Sequence, residues 1–143
     1  MKETKYILII FISILIFSCN NKKTNQVVIN GKISNPIGEV IEFRTPDTTY
    51  TTYINENGMF SITFRIDSAS YFDFFHGIET TQMYIKPDNK IHLEIDTESF
   101  DESISYKGTA ESSFLAKKYL FEEENNDIWS ASKKYYLLTS KEY

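Results

Sequence analysis

The sequence predicts a mainly β protein, an antiparallel β-sandwich or barrel-like domain of about eight short strands followed by a C-terminal helical segment. Apolar residues alternate with polar ones from Val27 to Gly108, which is the pattern of half-buried strands. Turn residues separate the alternating runs, and after Gly108 the composition favours a helix. With 143 residues, 41% of them hydrophobic, the chain is long enough for one ordinary domain with its own core.

The N-terminal segment predicts export rather than a part of the fold. The slightly positive "KETK" at 2–5 is followed by the almost wholly apolar "YILIIFISILIF" at 6–17. This run has the length of a signal-peptide core and falls short of the roughly 20 apolar residues that span a bilayer. The polar "NNKKTNQ" at 20–26 begins after only two more residues. We therefore predict a signal peptide at 1–18 and a polar tether at 19–26.

Cys19 is the only cysteine in the chain, so it cannot form an internal disulfide, a CxxC pair or a thiolate zinc cage. The stretch "IFSC" resembles the bacterial lipobox, in which a small residue precedes a cysteine that becomes the lipidated N-terminus; Phe17 is bulkier than usual there. The resemblance implies cleavage between Ser18 and Cys19, acylation of Cys19 with chains such as palmitate, and a membrane-anchored place in the bacterial cell envelope, periplasmic or surface-facing. The alternative is an ordinary secretory peptide with an incidental cysteine.

The strands at 59–66 and 90–96 have the clearest alternation. In the first, Phe60, Ile62, Phe64 and Ile66 are predicted to point inward, and "KIHLEID" repeats the pattern from 90. Further strands are predicted at 27–33, 40–44, 49–54, 71–75, 81–86 and 103–107.

Three turn sequences lie between these runs. "NPIG" at 35–38 and "NENG" at 55–58 provide Asn and Gly where positive φ is needed, and "PDN" at 87–89 begins with a proline that presets φ. We expect each to close a hairpin.

The segment 109–143 is predicted to be helical. Thr109 is the expected N-cap of a helix over Ala110–Glu124. Its expected apolar stripe consists of Phe114, Leu115, Lys118, Tyr119 and Phe121. "NND" at 125–127 is expected to end this helix, and a second one from about Ile128 would carry Trp129, Tyr135, Tyr136 and Leu138.

The polar residues do not predict catalysis, a metal site or a cofactor. The net charge of −5 lacks the basic patch of a nucleic-acid binder. His92, Glu94 and Asp96 share a strand face, but their spacing along the strand is too wide for one ion, and His76 has no acid or nucleophile next to it in the sequence. The acids at 96–103 lie in a loop that could attract a cation such as calcium, but their spacing is not that of an EF-hand. The acids of "FEEEN" at 121–125 are expected to form a solvated helix face.

Four stretches resemble a recurrent domain of bacterial envelope lipoproteins. They are "INGKI" at 29–33, "INENGMF" at 54–60, "MYIKPDNKIHLEID" at 83–96 and "ISYKGTAESSFLAKKYL" at 104–120. In that family a lipidated β domain of unassigned function precedes a thioredoxin-like domain of the thiol-disulfide interchange and peroxiredoxin type. The family's Pro-Gly-Asp turn is here Pro87, Asp88 and Asn89. Its catalytic cysteines have no counterpart after Cys19.

The resemblance implies a lipid-anchored, non-catalytic β domain at 27–108, with 109–143 as a truncated linker to a missing redox domain that the β domain spaces, orients or docks. Its partners would be the membrane, through the lipid, and a thioredoxin-like domain or another protein. The alternative is a complete small lipoprotein that binds a glycan or a protein through an exposed aromatic or edge-strand surface. An enzyme in its own right is the weakest interpretation.

Overall fold

The structure, a computed structural model, describes residues 24–127 and confirms a mainly β fold with a C-terminal helix. The cleavage and lipidation residues and the second predicted helix lie outside these residues. Between Lys90–Asp96 and Ser105–Lys107 the chain forms a 3₁₀ turn, Thr97–Ser99. The elements are β1 (Gln26–Ser34), β2 (Val40–Arg44), β3 (Thr49–Tyr53), β4 (Met59–Arg65), β5 (Ser70–His76), β6 (Glu79–Ile85), β7 (Lys90–Asp96), α1 (Phe100–Ser103), β8 (Ser105–Lys107) and α2 (Ala110–Glu124).

The strands form two sheets of four, in the orders β4-β1-β7-β8 and β3-β2-β5-β6. The pairs are antiparallel except for β1 and β7, which run parallel from Val28 opposite Lys90 to Ser34 opposite Asp96. The sheets stay separate, so of the two predicted architectures the sandwich is the correct one. The parallel pair departs from the purely antiparallel prediction.

The core lies between the two sheets and is made by the inward residue of each alternating pair. Along β1, Val27, Ile29 and Ile33 are buried, and the predicted inward residues of β7 are buried as well. Phe43 of one sheet lies with its ring centroid 6.4 Å from that of Phe60 of the other. The buried apolar side chains of the described range all lie between residues 27 and 106, so the core needs nothing before the first strand.

The predicted hairpins at the three quoted turns are wrong. The turns at 35–38, 55–58 and 87–89 each connect a strand of one sheet to a strand of the other. The hairpins are instead β2–β3 and β5–β6. The local turn chemistry is nevertheless as predicted, since Gly58 has φ +74° and a Cβ there would lie 2.2 Å from the carbonyl oxygen of Ile33. In the turn at 87–89, Asp88 takes the left-handed conformation, with φ +65°.

Helix α2 covers the side of the sandwich where β6 and β8 are the edge strands. Thr109 is its N-cap, as predicted, and accepts a bond from the Ser112 N–H at 3.3 Å. The buried Ser112 hydroxyl accepts from the Tyr84 N–H and donates to the Tyr84 carbonyl, both at 3.0 Å. The helix therefore satisfies backbone groups of an edge strand that would otherwise be open to pairing.

The predicted apolar stripe of α2 is wrong at Phe114, Lys118 and Phe121, which are exposed. Phe114 is 65% exposed and Phe121 is 55% exposed, so neither is buried against the sandwich. The inward face instead carries the small residues Ser112 and Ala116, together with the partly buried Tyr119. Small residues lie there because the helix approaches an edge strand closely enough for side chain to backbone hydrogen bonds.

The opposite side of the sandwich is joined by side chains of β3. The Thr52 hydroxyl donates to the Ser61 carbonyl at 3.0 Å, and the Tyr50 hydroxyl donates to the Arg65 carbonyl at 3.3 Å. The Tyr50 ring also stacks on Phe64, with 4.1 Å between centroids. Both sides of the sandwich are thus bridged without continuous strand pairing between the sheets.

Candidate functional site

The first described residues are fixed to one end of the sandwich. Thr24, five residues after Cys19, donates its N–H and its hydroxyl to the Asp88 carboxylate at 2.9 and 2.7 Å. Asn25 donates its side-chain amide to Asp67 at 3.2 Å. The Thr24 hydroxyl bond is the main reason why the pKa of Asp88 lies below its usual 3.8. We call this end, formed by residues 24–25 and the turns at 66–69 and 86–89, the tether end.

Helix α2 starts at the tether end and runs to the opposite end. Near its start, Glu111 pairs with Lys86 at 2.5 Å, and near its end the Tyr119 hydroxyl donates to Gln82 at 3.0 Å. Strand β6 runs from Glu79 to Ile85 towards the tether end, so α2 and β6 are antiparallel. The 15 residues of α2 extend about 22 Å. We call the opposite end, where α2 stops, the exit end; it also holds the loop at 35–39 and the turn at 77–78.

The exit end carries exposed apolar side chains. Ile78 is 88% exposed and Ile37 is 51% exposed, and Val40 and Tyr53 are exposed on paired positions of β2 and β3. The turn glycine Gly77 lies directly against Ile37, since a Cβ added to it would be 3.0 Å from that side chain. These four residues, Ile37, Val40, Tyr53 and Ile78, form what we call the apolar tip.

His76 holds the loop of the apolar tip in place. The side chain is 1% exposed, and its Nε2 accepts from the Ile37 N–H at 3.0 Å while Nδ1 lies 3.0 Å from the Val40 carbonyl oxygen. Because a backbone N–H needs an acceptor and a carbonyl needs a donor, these contacts assign the neutral ring with its proton on Nδ1. His76 is the last residue of β5, one residue beyond the predicted strand at 71–75. Its role is structural, because it holds the loop at 35–39 against the sheet.

The residues that would suggest a metal site on β7 have other partners. His92 lies 2.6 Å from the Asn30 side-chain oxygen and 2.8 Å from Glu94, and its bond lowers the pKa of Glu94. Asp96 accepts from the Asn35 side-chain amide, which lowers its pKa, and from the Glu98 N–H at 3.1 Å. Within residues 24–127 no group of three or more His, Cys, Asp or Glu side chains is arranged to hold a metal ion.

The two acidic runs also have structural partners. The run at 96–103 forms the 3₁₀ turn and α1, in which Phe100 is buried against the core. In the run at 121–125, Glu122 pairs with Lys118 at 2.8 Å, one helical turn earlier, and the bond raises the pKa of Lys118. Both observations agree with solvated or capping roles for these acids.

A groove of about 550 Å³ lies between α2 and the outer face of β5 and β6. The Tyr71 and Tyr84 rings meet edge to face in it, with centroids 4.9 Å apart. Its lining is largely apolar and aromatic, and Glu111 is its one charged residue: Tyr71, Tyr84, Ala110, Glu111, Phe114 and Leu115. The sequence did not predict this groove, because the predicted helical stripe buried Phe114, which is instead 65% exposed.

Tyr106 on β8 has the one buried side-chain polar atom without a hydrogen-bond partner among the described residues. Desolvation raises the pKa of its phenol well above the usual value, and the nearby Asp101 adds to the rise. The side chain is 8% exposed and shares the interior with Leu93, the residue opposite it on β7. Its role is therefore packing, at the cost of one unsatisfied hydroxyl.

Comparison of the chain with protein-family models, with curated proteins and with solved structures finds no match. The functional proposal therefore rests on the geometry of this domain and on the sequence patterns before it. Among residues 24–127, no helix has the length and apolar character needed to cross a bilayer.

Proposed function

We propose that this chain is a lipid-anchored domain of the bacterial cell envelope that holds the segment beyond its helix at a fixed distance from the membrane. The observation that carries the proposal is the placement of the two ends of the fold. The chain enters at the tether end through Thr24 and leaves α2 at the exit end after Glu124. A domain that enters and leaves at opposite ends separates the two segments that it joins.

The dimensions suit such a spacer. The nine residues of β1 run from the tether end to the exit end and extend about 30 Å. The five residue steps from Cys19 to Thr24 add at most about 17 Å. Because Thr24 is bonded to Asp88, this short tether would keep the tether end towards the bilayer and the apolar tip away from it.

The same orientation favours a docking role for the exit end. Ile78 of the apolar tip lies in the turn that leads into β6, the strand along which α2 runs, so a domain attached after the helix would begin at the end of the sandwich that carries the tip. Exposed apolar side chains grouped at one end of a domain are typical of a surface that contacts another protein. We infer that the apolar tip contacts the redox domain of a two-domain lipoprotein, or, in a standalone lipoprotein, a separate protein partner.

The proposal assigns no redox chemistry to this chain. Thiol-disulfide exchange needs an attacking thiolate and usually a second, resolving thiol. The chain has one cysteine, and in this proposal its sulfur is consumed by the lipid. Clear turnover of the purified chain in an insulin-reduction assay would contradict this part of the proposal.

The anchor is tested with Cys19→Ala in a bacterial host. We expect loss of fatty-acid labelling and release of the protein from the membrane fraction, because the thioether and the new N-terminus both require the sulfur of Cys19. Asn20→Ala is the matched control and should keep both label and membrane association. Labelling of Cys19→Ala at the level of the control would contradict the proposal.

The DNA after the codon for Tyr143 separates the two versions of the proposal. An open frame with a CxxC-bearing thioredoxin-like segment, in frame or after a frameshift, would support the two-domain version. Unrelated sequence would support the standalone binder.

A further inference from the structure

The groove beside α2 lies close to the tether end. Tyr71 is the second residue of β5 and lies opposite Tyr84 on β6, the strand that ends at Ile85. Glu111 and Phe114 belong to the first two turns of α2, the helix that starts at this end. The groove is open to solvent, since Tyr71 is 53% exposed and Phe114 is 65% exposed. The spacer function does not use it.

We propose that this groove rests on the bilayer and that Tyr71, Phe114 and Leu115 enter its headgroup region. The contact rests on the proposed function, in which the tether end lies towards the membrane. The five residue steps from Cys19 to Thr24 allow at most about 17 Å between the anchor and this end of the fold, so the groove lies within reach of the lipid. An anchored domain that also touches the bilayer through a second surface is held at one tilt.

The side chains of the groove suit the boundary between water and hydrocarbon. A tyrosine combines an apolar ring with a polar hydroxyl, and such side chains are enriched at membrane interfaces. Phe114 and Leu115 add apolar area that the headgroup region can bury. Glu111 does not oppose the contact, because Lys86 pairs with its carboxylate at 2.5 Å.

The charges of the fold favour the tether end as the membrane side. Residues 24–127 contain eight Lys or Arg and 18 Asp or Glu, a net charge of −10. Four of the eight bases lie at or next to the tether end: Arg65, Lys86, Lys90 and Lys107. Four acids lie with them: Asp47, Asp67, Asp88 and Glu111. The rest of the described fold therefore carries the whole net charge, and a bilayer with anionic lipids repels it.

The same argument separates the groove from the apolar tip, which is also exposed and apolar. Glu39 precedes Val40 of the tip, and Glu79 follows Ile78. Neither acid takes part in an ion pair within residues 24–127, whereas the one acid of the groove does. An anionic bilayer therefore favours the groove, and the tip is left for a protein partner.

The test couples the chain to a vesicle and reads the depth of a single tryptophan. Because Cys19 is the only cysteine, the chain from Cys19 onward, which contains the whole described core, can be attached through its thiol to a maleimide-bearing lipid. The result then does not depend on lipidation in the cell. The vesicles contain phosphatidylglycerol and phosphatidylcholine, the latter with or without bromine on its acyl chains. Trp129→Phe removes the only tryptophan, and Tyr71→Trp or Tyr53→Trp is added to it.

We expect the emission of the Tyr71→Trp variant to shift to the blue and to fall several-fold in the brominated vesicles. The Tyr53→Trp variant is the matched control, since Tyr53 is an exposed tyrosine of the apolar tip, and its emission should not change. Adding Phe114→Ser to the Tyr71→Trp variant should restore most of the emission. Adding Phe121→Ser, which changes an exposed phenylalanine outside the groove, should not. The far-ultraviolet circular dichroism should stay the same in all variants.

Unquenched emission of the Tyr71→Trp variant on the coupled vesicles would overturn the proposal, and so would equal quenching of the two tryptophan variants. A blue shift without quenching by bromine, lost when fewer chains are coupled to each vesicle, would also overturn it and would identify a second copy as the occupant. Failure of the lipid anchor is detected separately, as fatty-acid labelling that persists in Cys19→Ala.

Discussion

Replacing His76 by phenylalanine should destabilise the domain, because two backbone groups lose their hydrogen-bond partners. The substitution keeps an aromatic ring in the core but removes the acceptor for the Ile37 N–H and the donor for the Val40 carbonyl. A buried polar group that loses its partner costs about 1–3 kcal/mol. Since the two bonds are partly buried, the lower part of that range applies, and we expect a total loss of about 2–3 kcal/mol.

Urea unfolding measures this loss. With a slope of about 1.5 kcal/mol per molar for a domain of this size, the midpoint should fall by about 1–2 M. His92→Phe is the matched control, because His92 bonds Asn30 and Glu94 on the solvent face. It should stay within about 0.5 kcal/mol of the unsubstituted chain. Equal urea midpoints for the two variants would refute the role that we assign to His76, which is to hold the loop at 35–39 against the sheet.

Three further predictions concern other sites. Tyr106→Phe removes the hydroxyl that has no partner and should leave the domain equally stable or up to about 1 kcal/mol more stable, while a loss of more than about 1 kcal/mol in urea unfolding would show that the hydroxyl is bonded. Gly31→Ala places a Cβ 2.0 Å from the Leu93 carbonyl oxygen, so β1 and β7 must separate, and we expect the free energy of unfolding to fall by at least about 3 kcal/mol. A thermal midpoint equal to that of the unsubstituted chain would contradict the register in which Gly31 lies opposite Leu93. The lowered pKa of Asp88 means that its contribution is complete above the usual 3.8 and is lost as pH falls through the lower folded value. The protection factor of the Thr24 amide, the ratio of its intrinsic to its observed exchange rate, should therefore be higher at neutral pH than in acid, and in Asp88→Gly it should be low throughout. Unchanged protection in that variant would argue against the carboxylate as the acceptor.

The strands could be predicted from the sequence because burial on one face leaves a period of two. Along β7, Ile91, Leu93 and Ile95 are buried as the alternation predicts. The helix boundaries of Ala110 and Glu124 also matched, because the Thr109 cap and the propensities of the residues after it agree. Such features depend on neighbours in the sequence, so they can be read from it.

The sheet that the strand after each turn joins could not be predicted in this way. The glycine of "NENG" adopts positive φ as expected, but the strand after it joins the other sheet. Local turn chemistry fixes the direction change of the backbone. Which strand becomes the neighbour depends on pairings distant in sequence, such as the parallel pair of β1 and β7.

The prediction of which face of α2 turns inward failed for a related reason. Periodicity assigns the apolar side chains to the inward face, but Ser112 lies there because it bonds the backbone of Tyr84. Phe114 and Phe121 of the helix are left exposed as a consequence. The same holds for His76, whose partners at Ile37 and Val40 are more than 30 positions away in the sequence.

The most direct test of the spacer is the height of the two ends above a bilayer. The lipidated protein is reconstituted in vesicles that contain a quencher in the acyl region. It carries a fluorescent label at Ser68→Cys on the tether end or at Ile78→Cys on the exit end. These positions flank the seven-residue strand β5, which is about 23 Å long. If Cys19 is lipidated as proposed, it does not compete for the label, because its sulfur then carries the lipid. The label at 68 should be quenched strongly and the label at 78 hardly at all. Equal quenching at both positions, or stronger quenching at 78, would contradict the orientation on which the proposed function rests.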